Sequence, residues 1–144
     1  MTPRIRLDHV SFPVSDFETS VEFYRRLLDA ETPNLERWRQ GGRPVLYIIF
    51  GEEGRRQRVT LLPAPEHNTL SPQATHITVG AMDYCFHWPG PIEGAVEHLA
   101  NLGIEIVHGP VRSAGGMGAG TSVYFRDPDG NLLEFISYAE VAQG

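Results

Sequence analysis

The chain has 144 residues, enough for one domain or for two small modules sharing a core, and its hydrophobic share of 41% and charged share of 21% are those of an ordinary water-soluble protein. A formal net charge of -6 argues against a nucleic-acid or membrane-surface role, since both need a basic patch. No apolar run approaches the roughly 20 residues needed to span a bilayer, the N-terminus lacks the apolar region of a signal peptide, and the only cysteine, Cys85, leaves no partner for an intrachain disulfide, so a reducing, cytoplasmic setting is expected.

Taken in order, the first element is a strand over Ile5 to Val10, where Ile5, Leu7 and His9 alternate with period two. Ser15-Asp16-Phe17-Glu18 is a capping box, and Phe17, Val21, Tyr24 and Leu28 then recur at helical spacing, which predicts a helix from about Asp16 to about Leu28. Strands are expected near Arg43 to Phe50 and Arg58 to Leu62, with Arg55, Arg56 and Arg58 read as part of a solvated, turn-like stretch.

A fourth strand spans Met82 to Trp88, and Cys85 within it reads as a buried packing residue. A second helix begins near Pro91, a favoured first helical position, and presents Ile92, Ala95, Val96, Leu99 and Leu102 on one face before Gly103 ends it. Strands follow at Glu105 to Val107, Ser122 to Arg126 and Leu132 to Tyr138. Between the first two lies the glycine-rich stretch Ser113 to Gly120, which lacks the lysine and following helix of a phosphate loop and reads as a flexible flap or a plain connection.

The two halves repeat one plan, strand, helix, then strands, with Val21-Glu22 in the first helix matching Val96-Glu97 in the second. Counting from those anchors sets His9 opposite Asp83 and Thr60 opposite Glu134, each within one residue. His9 and Glu134 are metal-capable side chains on strands. A buried unpaired carboxylate is costly, and a metal or another cation is the usual remedy.

Leu7-Asp8-His9-Val10 at the start and Tyr124-Phe125-Arg126-Asp127-Pro128-Asp129-Gly130-Asn131-Leu132-Leu133-Glu134 at the end resemble the signatures of the vicinal oxygen chelate superfamily, which includes glyoxalase I, fosfomycin-modifying enzymes, bleomycin-binding proteins and extradiol dioxygenases. The Asp83-Tyr84-Cys85-Phe86 and Gly109-Pro110-Val111-Arg112 segments are most similar to glyoxalase-domain proteins of the virulence-protein type. The resemblance implies an α+β fold: a single domain over 1–144 of two βαβββ modules, about 4–64 and about 80–140, whose curved mixed sheets enclose a divalent metal. It also implies a small-molecule substrate chelated through neighbouring oxygens, and a homodimer.

By that resemblance His9 and Glu134 match the first-strand and last-strand metal ligands. Thr75-His76-Ile77-Thr78-Val79 imitates the second-module histidine motif, yet His76 lies too far upstream of the second helix, so Asp83 is preferred as third ligand with His76 as the alternative. One imidazole and two carboxylates suit Fe(II) or Mn(II), with Zn(II), Ni(II) or Mg(II) as further options. Thr60 stands where glyoxalase I supplies a glutamate that serves as ligand and base, and a hydroxyl does neither at neutral pH. His87, alternating with Asp83 and Cys85, and Tyr124 are the candidate proton-moving groups. The expectation is an oxygenase acting on a small aromatic or enolisable oxygenated substrate; a glyoxalase-like isomerase or lyase and a metal-free antibiotic-binding protein are the alternatives.

Overall fold

The computed structural model describes residues 3–139, which divide into two compact units with the boundary between Val79 and Gly80. The end of the second expected module, at about residue 140, lies outside the described residues.

In the first unit the order is β1 (His9–Pro13), α1 (Phe17–Leu28), α2 (Leu35–Arg39), β2 (Leu46–Phe50) and β3 (Gln57–Leu62). The sheet runs β1-β3-β2, with β1 parallel and β2 antiparallel to the central β3. Period-two alternation turns Phe12, Leu46, Ile48, Val59 and Leu61 to the side where Val21, Tyr24 and Leu27 of α1 are also buried. Phe12 and Tyr24 meet edge to face at 6.0 Å. The cap falls one residue later than the Ser15–Glu18 box predicts: Asp16 is the N-cap, its Oδ1 accepts the Thr19 backbone N–H at 2.8 Å, which draws its carboxyl below the ordinary value, and the Glu18 carboxylate accepts from Arg39 instead. The buried stripe is Ser20, Val21, Tyr24 and Leu27 rather than one ending on Leu28, since Leu27 lies three residues after Tyr24.

Two expectations change here. The first strand starts at His9, not Ile5; Ile5 and Leu7 are 81% and 83% exposed, because the ladder with β3 opens only at the pair His9–Arg58. The sheet of this unit also has three strands instead of the four of a βαβββ module. Beyond β2 the fourth strand is reduced to one bridge, Glu31 with Ile49, after which the chain turns into the short helix α2. Arg39 on α2 clamps Glu18 of α1 with two hydrogen bonds of 2.8 and 2.9 Å.

The second unit is the full βαβββ plan: β4 (Asp83–His87), α3 (Ile92–Asn101), β5 (Ile106–Gly115), β6 (Gly118–Arg126) and β7 (Leu132–Ser137). Its sheet runs β4-β7-β6-β5, with β4 and β7 parallel. Val123, Phe125, Leu133 and Phe135 on one face bury together with Ile92, Ala95 and Leu99 of α3. Trp88, with its ring 5.2 Å from Phe135 and 5.4 Å from His98, is a packing residue of this layer. Pro91 is the residue before the helix and not its first turn; α3 closes with the Ile104 N–H on the Leu99 carbonyl.

The glycine-rich stretch is neither flap nor plain loop. It is a laddered hairpin, paired from Val111–Ser122 to Gly115–Gly118 and closed by Gly116-Met117. Nearer its base, Gly109 sits in a register shift at φ +100°, and a Cβ there would lie 2.5 Å from the Ser122 carbonyl oxygen. Only glycine lets β5 approach β6 at that point.

The Asp127-to-Asn131 turn fixes β7 beside β4. Buried Asp127 accepts the backbone N–H groups of Asp129 and Asn131 through Oδ1 and the Asn131 amide through Oδ2. Gly130 supplies the positive φ of +87°. The Asn131 Oδ1 in turn accepts the Met82 N–H at 2.8 Å, so the turn holds the start of β4 as well as the start of β7.

Candidate functional site

The parallel pairs of the two units have matching registers. In the first, His9 lies beside Arg58 and Ser11 beside Thr60; in the second, Asp83 lies beside Leu132 and Cys85 beside Glu134. Along these ladders His9 therefore corresponds to Asp83, and Thr60 to Glu134. In both sheets these residues lie on the face opposite the helix-packed core.

On that face of the second sheet, Glu134 has Cys85 beside it on β4 and Tyr124 beside it on β6. Glu134 Oε2 accepts the Ser122 hydroxyl at 2.5 Å, and Ser122 in turn shares a hydrogen bond with Ser113. Burial, and then the charge of Glu134, pushes the Cys85 thiol up to about 12, so it stays protonated at neutral pH and is no nucleophile. The same two causes raise the Tyr124 phenol. Cys85 was expected to be buried, but as a residue it is exposed, because Asp83, Cys85 and His87 alternate onto the open face while Tyr84 and Phe86 turn inward. His87 lies 5.4 Å from the Tyr138 ring and His108 lies 5.7 Å from the Tyr124 ring.

In the first unit the equivalent face carries His9, Ser11, Tyr47, Arg58 and Thr60. His9 Nδ1 is 2.6 Å from Asp8 Oδ1, a contact that lowers the Asp8 carboxyl and leaves Nε2 as the free ring nitrogen. Arg58, read as part of a solvated loop, is half-buried on β3, its guanidinium 4.7 Å from the centre of the Tyr47 ring.

Of the sequence-predicted residues, Asp83, His87, Tyr124 and Glu134 share one sheet face of the second unit, while His9 belongs to the first. His76 is exposed and lies in no strand, so Thr75 to Val79 has the look of the motif without its backbone. Among the described residues no group of three His, Cys, Asp or Glu side chains is gathered so as to hold a metal ion. The donor types themselves, an imidazole nitrogen and two carboxylates, fit a hard divalent cation. Reading the sequence missed Ser113, Ser122, Arg58 and Asn68. Ser122 and Arg58 were visible in principle, each two residues before a chosen residue on the same strand; Asn68 is on a loop and gave no signal.

The family model of the Glyoxalase/Bleomycin resistance protein/Dioxygenase superfamily matches residues 6–135. The chain belongs to this superfamily. Within it, the chain is 35% identical over 133 residues to virulence protein STM3117 of Salmonella typhimurium, covering 92% of this chain and 84% of that one. The crystal structure of that virulence protein matches with a TM-score of 0.79 over 96% of this chain and 100% of the other. An integron cassette protein from the mobile metagenome of V. cholerae is 32% identical and matches with a TM-score of 0.81, over 96% and 99% of the two chains. Biphenyl-2,3-diol 1,2-dioxygenase 2 of Rhodococcus globerulus is 32% identical over 141 residues, 93% of this chain and 63% of the dioxygenase. Superfamily membership and the α+β plan of mixed sheets read from the sequence thus hold. No helix among the described residues is long and apolar enough to cross a membrane.

Proposed function

We propose that this member of the superfamily is a metal-dependent oxygenase acting on a small aromatic or enolisable oxygenated substrate, with His9, Asp83 and Glu134 as ligands to Fe(II) or Mn(II). The observation that carries the reading is the matched register of the two parallel strand pairs, which sets His9 and Asp83 at one repeated position and Glu134 at the other. The Asp8 carboxylate supports it by engaging Nδ1 of His9 and leaving Nε2 available, the arrangement a ligating histidine needs. A bound divalent metal would supply Lewis acidity toward two neighbouring oxygens of the substrate.

The protein's own groups have defined parts in this reading. Ser122 donates its hydroxyl to Glu134 and orients it, with Cys85 and Tyr124 as neutral neighbours on the two flanking strands. Tyr124, protonated at neutral pH, is the group to pass a proton to or from substrate, with His87 on the same face as a second. Thr60 at the position equivalent to Glu134 weighs against glyoxalase-like isomerisation, which needs a base there. A cytoplasmic homodimer is the expected working form.

The test is metal content followed by oxygen uptake. Untagged protein reconstituted with Fe(II) or Mn(II) should hold close to one metal per chain, and His9→Ala and Glu134→Ala should each lose most of it. Catechols and related phenols should drive oxygen consumption in the wild type. Full metal retention in either variant sinks the ligand assignment. Turnover of a hemithioacetal without oxygen uptake would replace the oxygenase with the isomerase.

A further inference from the structure

The first unit contains a cavity of about 390 Å³, near the lower end of the roughly 300–1,000 Å³ typical of small-molecule sites. Its floor is the open face of β1-β3-β2, and residues 68–74 wall one side. Two features of the lining point to one kind of ligand. Arg43 and Arg58 both line it, and no aspartate or glutamate does, in a chain whose net charge is -6. Three polar atoms in that lining, Arg58 Nε, Thr60 Oγ1 and Asn68 Nδ2, are buried without a hydrogen-bond partner among the described residues.

Each of these atoms is held in place by something else. The Tyr47 ring supports the guanidinium of Arg58. The Asn68 amide is oriented by its own Oδ1, which accepts the Leu70 N–H at 2.8 Å and leaves Nδ2 to point elsewhere. Thr60 is on the central strand, between Ser11 and Tyr47, and is 5% exposed. Burying unpaired donors is unfavourable, and a guanidinium Nε with two neutral donors beside it matches the charge and lone pairs of an oxyanion. Leu62, Leu70 and Pro72 add apolar surface for a carbon skeleton.

We propose that this cavity binds the anionic head group, a carboxylate or a phosphonate, of a small organic substrate, with Arg58 as the residue that selects for charge and Thr60 and Asn68 as the neutral donors. This deepens the proposed function by naming a substrate class for it, and it rests on that reading only for the claim that the bound anion is a substrate.

The experiment is calorimetric titration of the full chain with benzoate, phenylphosphonate and the neutral isostere benzamide, in the presence and absence of Mn(II). Wild-type protein should bind at least one of the two anions saturably and at least about tenfold more tightly than benzamide. The tighter of the two identifies the head group. Arg58→Gln should erase the preference, while Arg56→Gln, which removes an exposed arginine paired with Glu31, should retain it. Should Arg58→Gln fail to fold by circular dichroism, Asn68→Ala on the loop replaces it and should weaken anion binding by about threefold to tenfold. Equal binding of benzamide and the anions, no saturation by either anion at millimolar concentration, or a preference unchanged in the folded variant overturns the proposal. Binding is read without turnover, so a failed oxygen-uptake assay with intact anion preference removes the oxygenase and leaves the cavity. Oxygen uptake with uncharged catechols and no anion preference does the reverse.

Discussion

Asp16 is a residue whose contribution is local and measurable. Its carboxylate caps α1 by accepting the Thr19 N–H, and that hydrogen bond lowers its pKa below 3.8. A carboxyl depressed in the folded state contributes stability fully above its unfolded pKa, and the contribution disappears as pH falls through the lower folded value. Asp16→Ala should therefore lower the melting temperature near neutrality, and the gap to wild type should close as pH falls below 3.8; thermal melts of both proteins across that range check it. The cap was legible only in part, because Ser-Asp-Phe-Glu offers two adjacent capping residues and the helix begins after Asp16, not after Ser15. The place of Arg58 was not legible: it stands where an arginine-rich turn-like stretch meets an expected strand, and only the pairing of β3 with β1 sets it beside His9. Cys85 misled for a similar reason: it stands in an apolar run, but alternate residues of that run face opposite ways.

Among the elements, the turn from Asp127 to Asn131 matters more than its length suggests. It looked like a family signature leading to Glu134, and its own work is structural: one buried carboxylate satisfies two backbone N–H groups and an amide. Asp127→Ala leaves these donors unpaired and should cost about 2–3 kcal/mol or more. Urea denaturation should show a lower midpoint with an unchanged slope. Asp127→Asn, which keeps one acceptor oxygen, should recover part of the loss. Helices α1 and α3 were read to within a residue or two because their apolar spacing and ends are local signals. The hairpin of β5 and β6 was not, since Ser113 to Gly120 has almost no side-chain pattern and gains its order from the cross-strand ladder. The fourth strand that the resemblance implies for the first unit is reduced to the Glu31–Ile49 bridge, in keeping with a residue pattern that predicts only two strands after the first helix.

For the molecule as a whole, the net charge of -6 predicts that the protein will not shift duplex DNA in an electrophoretic assay at physiological salt; a shift that weakens with added salt would contradict it. The same charge makes the arginine-lined, carboxylate-free cavity of the first unit a local exception to the rest of the chain. Sequence by itself determined the repeated strand-helix-strands order, both principal helices, the turn before β7 and the superfamily, because hydrophobic period and turn chemistry act over a few consecutive residues. It also gave the register that equates His9 with Asp83 and Thr60 with Glu134, since each count runs through one helix and its neighbouring strands. Only the tertiary structure decided which face of each strand is open and which donors surround Glu134. It alone brought Tyr47, Arg58, Thr60 and Asn68 to one cavity, because those relations depend on which strands pair and how a loop returns over the sheet.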